Sequence, residues 1–271
     1  MEPVGRGAFD RIAVIGHGLI GGSIALAVAE RSPGIQVITL DRGDDIAAAA
    51  GADLIVLATP ISEILRLLPV LAAMVPATAV VTDTGSTKTA IANAAPAGMR
   101  FIGGHPIAGA AVSGLAAARA DLFTGRAWIL TPPVTAEPTD VAGLQHFVER
   151  LGARAHLLAA EEHDRLFAFL SHLPQLVVSA LMDVVGSQVG EDALAMAGPG
   201  LRDTTRLATS PPDIWRDIVR TNDRQVRTAL DGLISRLTTL RDDPSGEALA
   251  ETFVRAARWK SALDKMADGK W

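Results

Sequence analysis

The residues best suited to chemistry begin with a glycine fingerprint near the start of the chain. Residues 16–21, GHGLIG, have the spacing G-x-G-x-x-G, follow the apolar run 12–15 and precede a helix-forming segment. In that setting Gly16 permits a tight turn, Gly18 lets the backbone approach a pyrophosphate, and Gly21 lets the helix pack closely on the strand. The pyrophosphate would lie on the free N–H groups of the helix N-terminus. The pattern predicts dinucleotide binding, and its alternative is a glycine-rich turn of another α/β protein.

An acidic residue supplies the second half of this signal. The β-type run 35–40 ends at Asp41, 20 residues after Gly21, where a carboxylate binds the ribose hydroxyls of a dinucleotide. The charge of Asp41 would repel a 2′-phosphate, whereas the neighbouring Arg42 could accommodate one. We therefore expect NAD as the cofactor and leave NADP open. The predicted cofactor-binding residues are Gly16, Gly18, Leu19, Ile20, Gly21, Asp41, Arg42, Thr59 and Pro60.

A hydroxyl group follows the fourth predicted strand, 79–82. The segment 83–88, DTGSTK, comes at the carboxyl end of this strand, which is the edge where ligands bind in open α/β sheets. The Ser86 hydroxyl can both donate and accept a hydrogen bond there. The alternative is a helix cap, in which Ser86 or Thr87 binds free helix N–H groups. The segment alone does not decide between the two.

A histidine follows the fifth predicted strand, 100–102. Residues 103–109, GGHPIAG, are typical of a loop in which Pro106 fixes the backbone beside His105 and the glycines allow a close approach. A histidine in such a loop could take a proton from a substrate hydroxyl near neutral pH. The alternative is a packed histidine bonded to a carbonyl. Loops on rigid α/β scaffolds often carry sites, which favours the functional interpretation.

A polar cluster interrupts an apolar helical pattern further along the chain. In SHLPQ, residues 171–175, helical spacing places His172 and Gln175 away from the apolar stripe, and Pro174 should kink the helix. A kinked polar spot could face a cleft between domains. The spacing alone favours a merely solvated face.

A pair of arginines follows in GLRDTTR, residues 200–206. On a helix, Arg202 and Arg206 would lie four residues apart on one face and repel each other mildly. A bound carboxylate would relieve that repulsion, because arginine binds carboxylates with two parallel hydrogen bonds. The alternative is two exposed arginines that pair with Asp203 or Asp217.

The composition limits the classes of protein. The chain has 271 residues, enough for two domains, and a net charge of -5, which argues against generic nucleic-acid binding. It has no cysteine, which excludes disulfides, thiolate metal sites and cysteine nucleophiles, and we predict no metal site. The start of the chain lacks an apolar signal region, and the longest apolar stretch, 19–29, is too short to span a bilayer. We expect a cytoplasmic protein without a membrane partner.

The elements that must position these groups fall into two parts. Alternation of β-type runs with helical patterns predicts βαβ units and a mostly parallel sheet. The segment 42–52 is near the minimum length of a crossover, so we expect an open adenine side of the cofactor site. The predicted strands are 12–15, 35–40, 54–58, 79–82, 100–102, 127–130 and 153–158.

The second part of the chain is helical by pattern, since strand signals vanish from about residue 161. Apolar residues recur at three- and four-residue steps over 166–184, 226–240 and 249–266. The fold class is therefore α/β, with an N-terminal Rossmann-type domain at 1–158 and an all-helical domain at 159–271. Helices this apolar in a small domain need a partner surface, so we expect a homodimer through the helical domain.

Taken together, the motifs resemble those of one family. GHGLIGGS, DTGSTK, GGHPIAG with the later Ser113-Gly114 and Leu122-Phe123, SHLPQ, and GLRDTTR with the later Trp215-Arg216-Asp217 occur in the order found in the prephenate/arogenate dehydrogenase family of tyrosine biosynthesis. The resemblance covers roughly residues 11–222. It implies a Rossmann domain, a helical dimerisation domain, a nicotinamide cofactor and a small-molecule substrate.

The resemblance also implies a mechanism. A cyclohexadienol loses hydride to the nicotinamide from the carbon bearing its hydroxyl, its ring carboxylate leaves as carbon dioxide, and aromatisation drives the reaction. By resemblance, His105 accepts the hydrogen bond and then the proton of the ring hydroxyl, Ser86 orients them, and Arg206 binds a substrate carboxylate. The implied substrate-binding residues are Arg206, His172, Arg202, Gln175 and Ala111, with Arg202 and Asp203 in secondary roles.

The chain departs from this family after HPIAG. Many prephenate-using members carry a Thr-Glu pair where this chain has Ala110 and Ala111. Prephenate ends in a keto acid and arogenate in an amino acid, so one polar group can decide between them. The substrate is left open between prephenate, arogenate and a modified analogue. We expect no added regulatory domain after the helical segments, so inhibition by tyrosine, if present, is expected to act at the active site.

Two other classes are alternatives. Hydroxyacid dehydrogenases and imine reductases share the fingerprint and a helical second domain, but they usually use a lysine base, and this chain has no lysine between Lys88 and Lys260. A non-catalytic dinucleotide sensor would need the fingerprint but would have no use for His105, Ser86 and Arg206 together. Turnover of the cofactor separates a sensor from an enzyme.

Overall fold

The protein forms a seven-stranded sheet covered by helices. The computed structural model describes residues 9–108 and 114–267. The order of strands in the sheet is β2-β1-β3-β4-β5-β6-β7. All seven predicted strands are confirmed, and the largest difference is a longer β5. The strands are β1 (Arg11–Ile15), β2 (Gln36–Leu40), β3 (Leu54–Leu57), β4 (Val80–Asp83), β5 (Arg100–Pro106), β6 (Ala127–Thr131) and β7 (Arg154–Leu157).

The strand pairing brings the chemistry-bearing ends of the strands to one edge. The first five strands pair in parallel, so their carboxyl ends share that edge. β6 is antiparallel to β5, and β7 is parallel to β6. Because β1 has β2 on one side and β3 on the other, the direction of winding switches at β1, and ligands of open α/β sheets bind at such a point. The mostly parallel sheet confirms the predicted fold class.

The end of β5 corrects one prediction. We expected a loop after residue 102, but residues 103–106 pair with residues 128–131 of β6. His105 therefore lies on a strand. A Cβ on Gly103 would lie 2.4 Å from an atom of β6, and one on Gly104 would lie 2.5 Å from an atom of β4. The glycines that indicated a loop are required because the neighbouring strands pack so closely against β5.

Ten helices accompany the sheet in the described residues. A 3-10 turn, Ile46–Gly51, stands between β2 and β3 in place of an α-helix, as the short crossover predicts. The helices are α1 (Leu19–Arg31), α2 (Ile61–Ala72), α3 (Thr89–Ala94), α4 (Pro138–Arg150), α5 (Ala160–Phe167), α6 (Leu173–Leu194), α7 (Pro199–Thr204), α8 (Pro212–Thr221), α9 (Asp223–Arg241) and α10 (Glu247–Ala267).

Two apolar layers bury the sheet on both faces. Alternate residues of β1 enter opposite layers, with Ile12 and Val14 in one and Ala13 and Ile15 in the other. Side chains of α1 and α4 complete the first layer, and those of α2 and α3 complete the second. Ile218 of α8 also lies in the second layer, so the helical segment after the sheet shares this core.

The apolar helical region after the sheet is interrupted just before Pro174. Residues Ala168–His172 form a π-helical turn between α5 and α6, and Pro174 is the second residue of α6. Proline is tolerated in a first helical turn, where its missing N–H would have no helical partner. The π-helical turn therefore takes the distortion that we predicted as a kink at Pro174.

The same region shows that the expected limit on apolar length was wrong. Judged by length and composition alone, Ala160–Leu194 is long and apolar enough to cross a membrane, with 17% of its most apolar window buried. The helix continues from α5 through the π-helical turn into α6, so the continuous apolar helical segment is longer than the stretch identified in the sequence. Several of them, including Leu170 and Val184, are exposed in the single chain.

The packing divides the chain into two compact units, Met1–Gln225 and Val226–Trp271. The first unit holds the sheet and the helices through α8. The second holds most of α9 and all of α10 that the structure describes. The predicted domain boundary near residue 158 stays a prediction. The first compact unit extends beyond that residue, and Ile218 of α8 packs with the sheet.

Candidate functional site

The glycine fingerprint forms the turn between β1 and α1. Gly16 has a φ of +103°, and a Cβ there would lie 2.5 Å from the carbonyl oxygen of Ala58. A Cβ on Gly21 would lie 1.9 Å from the carbonyl oxygen of Gly16, whereas a Cβ on Gly18 would meet nothing within 4 Å. Gly16 and Gly21 are therefore required by close packing. Gly18 faces open space, which leaves room for a pyrophosphate.

Two further observations at this turn fit a bound dinucleotide. Within the described residues no side chain caps α1, which begins at Leu19 and Ile20, so its first N–H groups can bind an anion. Thr59 lies against Gly16, and its buried hydroxyl oxygen has no hydrogen-bond partner in the described part of the chain. A buried orphan hydroxyl beside the fingerprint indicates a ligand. Pro60 follows it and precedes α2.

Carboxylates gather at the end of β2. Asp41 is exposed directly after the strand, and its carboxylate accepts from the Arg42 N–H at 2.9 Å. The backbone N–H of Asp41 donates to the carboxylate of Asp44 at 2.8 Å. Two carboxylates thus lie where the adenine ribose of a dinucleotide is expected.

A buried ion pair holds the segment after β4. The side chains of Lys88 and Asp83 have no exposure and pair with each other. Lys88 Nζ also donates to the Gly104 carbonyl oxygen at 2.6 Å, and Asp83 accepts from the N–H groups of Gly85 at 2.8 Å and Gly104 at 3.0 Å. Burial lowers the pKa of Lys88, and the adjacent Asp83 opposes this shift. The pair ties the end of β4 to β5, the strand of His105.

The helix-cap alternative for Ser86 and Thr87 is wrong. No side chain of this segment caps α3. The N–H groups of Lys88 and Thr89, where the helix begins, donate to the carboxylate of Asp164, at 2.7 and 2.8 Å. That carboxylate comes from α5. Ser86 is half-buried, and its hydroxyl is not used to cap α3.

His105 begins a chain of buried hydrogen bonds that the sequence did not indicate. Its Nδ1 lies 2.8 Å from Nε2 of His163, and Nδ1 of His163 lies 2.9 Å from Oδ1 of Asp164. Both partners lie on α5 and are buried, whereas His105 is partly buried. The hydrogen-bond partner of His105 is a histidine side chain and not a backbone carbonyl. The alternative of a packed histidine bonded to a carbonyl is therefore wrong.

Burial and hydrogen bonding determine the protonation states of His105, His163 and Asp164. Burial lowers the pKa of His105 well below its ordinary value, and a positive charge on the neighbouring His163 would lower it further. Burial also lowers the pKa of His163, against the opposing hydrogen bond to Asp164. Burial by itself would raise the pKa of Asp164, but hydrogen bonds from His163 and Thr89 outweigh it and lower that pKa. At neutral pH the two imidazoles are neutral and the carboxylate is ionised.

His172 is buried, so the solvated-face expectation for SHLPQ is wrong. Its ring lies edge-on to Trp215 with centroids 6.2 Å apart, and its Nδ1 lies 3.4 Å from the amide nitrogen of Asn222. Asn222 also donates to the carbonyl oxygen of Asp164 at 2.8 Å. It therefore connects His172 to the residue that ends the hydrogen-bonded series from His105. Nε2 of His172 is buried without a hydrogen-bond partner in the described residues, as expected of a group that meets a ligand.

Gln175 is also buried, and its amide is engaged by the protein. Its Nε2 donates to the Leu207 carbonyl oxygen at 2.8 Å and to Ser179 at 3.1 Å, and its Oε1 accepts from the Ser210 hydroxyl at 3.0 Å. These bonds join α6 to a 3-10 turn, Arg206–Thr209. Gln175 thus contacts the segment that carries the second arginine.

The arginine pair is not arranged as predicted. Arg202 lies on α7, but the helix ends at Thr204 and Arg206 begins the following turn, so the two do not share a helix face. Both are exposed, and neither has an ion-pair partner among the residues that the structure describes. Asp217 instead accepts from the Ser62 N–H at the start of α2, at 2.9 Å. The arginines are therefore available to an anionic ligand.

Sequence reasoning missed the partners of His105 and His172. His163 and Asp164 occur in EEHD at the start of the helical region, and Asn222 follows α8. The signal present in the sequence was a polar His-Asp pair just before the apolar helical pattern that begins at residue 166. Ala111 falls outside the described residues, so its predicted role is untested.

A fold that can bind a dinucleotide, with a neutral histidine at the same carboxyl edge of the sheet, defines the class of nicotinamide-dependent dehydrogenases. Two family descriptions match the chain. "Prephenate dehydrogenase, nucleotide-binding domain" matches residues 14–157, and "Prephenate dehydrogenase, dimerization domain" matches residues 159–255. The chain belongs to the prephenate dehydrogenase family, and it is an enzyme of that type.

Individual relatives agree. The prephenate dehydrogenase of Bacillus subtilis is 32% identical over 94% of this chain and 76% of its own length. The cyclohexadienyl dehydrogenase of Zymomonas mobilis is 29% identical over 94% of this chain and 96% of its own. Among solved structures, Synechocystis arogenate dehydrogenase has a TM-score of 0.81 at 31% identity, covering 94% of this chain and 99% of that one. The prephenate dehydrogenase of Aquifex aeolicus, solved with hydroxyphenyl propionate and NAD+, has a TM-score of 0.85 at 26% identity, covering 95% and 98%.

Proposed function

We propose that this enzyme catalyses the nicotinamide-dependent oxidative decarboxylation of a cyclohexadienol, prephenate or arogenate, in tyrosine biosynthesis. The observation that carries the proposal is His105. It is a neutral imidazole on β5, bonded to a buried histidine and tied through the Lys88–Asp83 pair to the segment of Ser86. A neutral histidine in this setting can accept the proton of a substrate hydroxyl.

The chain's own residues account for the proton. His105 accepts the hydrogen bond of the ring hydroxyl and then its proton, while Ser86 orients the hydroxyl. When bound, the nicotinamide supplies the hydride acceptor. The ring carboxylate leaves as carbon dioxide, and the electron pair it leaves completes the aromatic ring. The phenolate oxygen then takes the proton back from His105, so the reaction releases no net proton.

Substrate binding is assigned to Arg206, Arg202 and His172, with Gln175 in a supporting role. Arg206 binds a substrate carboxylate, because it is exposed and unpaired among the described residues, and Arg202 has a secondary role. His172 lines the pocket with its unpartnered Nε2. Gln175 acts through the turn of Arg206. Many prephenate-using members carry an acidic residue at the sequence position of Ala111, and such a group can discriminate between a keto acid and an amino acid. Both substrates therefore belong in the test.

NAD is the preferred cofactor in this proposal. The turn at Gly16, Gly18 and Gly21 and the orphan hydroxyl of Thr59 fit a dinucleotide. Asp41 and the adjacent Asp44 would repel a 2′-phosphate, whereas the neighbouring Arg42 would favour it. The NAD+ of the Aquifex aeolicus relative supports the same choice.

The reaction is tested by its stoichiometry with purified protein. One reduced nicotinamide and one carbon dioxide should form for each cyclohexadienol consumed, with a phenol as the product. Cofactor binding without any of these products would support the sensor alternative instead.

We further propose that the enzyme is a cytoplasmic homodimer. Two observations support the dimer: α6 exposes apolar residues such as Leu181 and Val184, and the matched helical family domain is described as a dimerization domain.

A further inference from the structure

We propose that His163 and Asp164 are positioning residues that fix the tautomer of His105, so that Nε2 of His105 is the proton acceptor. The inference rests on the proposed function, because it assigns partners to the base of that reaction. It goes further in naming which nitrogen acts and which side chains determine it.

Both carboxylate oxygens of Asp164 already accept hydrogen bonds from the backbone. Oδ1 accepts from the Lys88 N–H at 2.7 Å, and Oδ2 accepts from the Thr89 N–H at 2.8 Å. An ionised carboxylate has no proton to donate. Nδ1 of His163, 2.9 Å from Oδ1, must therefore carry the proton of that hydrogen bond.

The proton on His163 determines the next hydrogen bond. A neutral imidazole has one N–H, so Nε2 of His163 is a bare acceptor. It lies 2.8 Å from Nδ1 of His105, which must donate. That bond uses the only N–H of a neutral His105 and leaves Nε2 with a free lone pair. A substrate hydroxyl can then donate to Nε2.

Packing prevents either imidazole ring from flipping, a motion that would interchange the positions of its two nitrogens. Phe167 stacks on His163 with ring centroids 4.4 Å apart and lies 4.9 Å from the ring of His105. All three partners, His163, Asp164 and Phe167, belong to α5. A flip of either imidazole would displace the phenylalanine and break a buried hydrogen bond.

The same arrangement stabilises the protonated base. As the substrate O–H bond breaks, an N–H bond forms at Nε2, and the Nδ1–H of the resulting imidazolium stays bonded to His163. A hydrogen bond from a cation is stronger than one from a neutral donor. The other charged or titratable groups near these rings are Lys88 and Asp83 of the β4 segment and His172 before α6.

Two substitutions separate hydrogen bonding from packing. His163→Gln keeps an acceptor near the position of Nε2, whereas His163→Leu keeps bulk and removes the acceptor. We expect His163→Leu to lower kcat roughly 100-fold and His163→Gln to lower it less than about tenfold, with KM nearly unchanged in both. His146→Leu, at an exposed position on α4, is the control. NAD affinity and the melting temperature report whether each variant is folded.

The pH profile distinguishes a positioning role from a structural one. Without an acceptor the imidazolium of His105 is less stable, so the acidic limb of kcat/KM should move to lower pH in His163→Leu and stay in place in His163→Gln. Unchanged kcat in both variants would overturn the proposal. An equal loss in both with an unmoved limb would also overturn it, since packing alone would explain the loss.

A measurement without turnover separates this inference from the proposed function. In protein labelled with 15N-histidine, the nitrogen signals of His105, assigned with His105→Asn, should show a protonated Nδ1 and an unprotonated Nε2 at neutral pH. The reverse tautomer would overturn the inference even in an active enzyme. The expected tautomer in a protein that turns over no cyclohexadienol would instead leave the assignment of the tautomer to His163 and Asp164 standing and reject the proposed function.

Discussion

At the scale of single residues, His105 has the most direct chemical role. Replacement by asparagine keeps a similar shape and a polar group but removes the proton acceptor. His105→Asn should therefore lower kcat by about 100- to 10,000-fold, with little change in substrate KM or NAD affinity. Steady-state kinetics and a cofactor titration check this expectation.

His146→Asn is the matched control, because that histidine is exposed on α4. It should leave kcat unchanged. Wild-type turnover in His105→Asn would remove this histidine from the mechanism.

Arg206 should act on binding more than on chemistry. A carboxylate clamp interacts with the ground state and the transition state alike, so Arg206→Gln should raise substrate KM by about 10- to 100-fold and change kcat little. Arg202→Gln, on the preceding helix α7, should have a smaller effect. A wild-type KM in Arg206→Gln, measured by initial rates, would mean that the substrate carboxylate binds elsewhere.

Much of the site could be predicted because its residues lie in local motifs. The fingerprint directly follows β1, Ser86 lies just after β4, and His105 lies near the end of β5. The pattern of strands therefore brings them to one edge. His163, Asp164 and Asn222 could not be found in this way. His163 contacts His105 of β5, 58 residues earlier, and Asp164 binds the start of α3. Asn222 binds Asp164 and His172. No local pattern records such tertiary contacts.

At the scale of elements, the bond between α6 and the turn Arg206–Thr209 is open to a test. Gln175→Ala removes the donor to the Leu207 carbonyl oxygen and the acceptor of the Ser210 hydroxyl. Loss of this buried contact costs about 1–3 kcal/mol, and it frees the turn that carries Arg206. Substrate KM should rise about tenfold without a change in NAD affinity.

Gln188→Ala is the control, since Gln188 lies on the same helix but is exposed. An equal KM for Gln175→Ala and the wild type would show that the turn is held by other contacts.

The elements themselves were predictable to different degrees. Strands such as β3, buried on both faces, gave continuous apolar runs and were predicted within a residue. The end of β5 was not, because glycines required by packing resemble loop glycines. The polar face of α6 was also misjudged, because spacing shows which residues share a face but not which face is buried.

At the scale of the whole molecule, buried neutral histidines make stability depend on pH. Burial lowers the pKa of His172 to about 4, against the opposing effect of Asp164, whereas an unfolded histidine has a pKa of about 6.5. Between these values the unfolded state binds more protons at this residue, so the contribution of His172 to stability falls as pH drops from about 6.5 to about 4 and does not change above that range. The loss from His172 alone is roughly 3 kcal/mol.

His172→Gln should therefore flatten the decline of melting temperature over this pH range. His146→Gln, at an exposed position, is the control. An equal decline in His172→Gln and the wild type would show that His172 takes up no proton on unfolding.

The exposed apolar residues of α6 predict an oligomer that a single charge disrupts. Val184→Asp should shift the protein from dimer towards monomer, because a charge on a buried apolar interface is not solvated. Val134→Asp is the control, since Val134 is fully exposed between β6 and α4. Light scattering after size-exclusion chromatography measures the mass. A monomeric wild type, or an unchanged dimer in Val184→Asp, would contradict the proposed interface.

The central claim concerns the reaction of the whole enzyme, and initial rates test it most directly. Purified protein would be assayed with prephenate and with arogenate, each with NAD and with NADP, by the near-ultraviolet absorbance of the reduced nicotinamide. We predict reduction with at least one substrate, faster with NAD than with NADP. No reduction in any of the four combinations, in protein that binds NAD, would contradict the account.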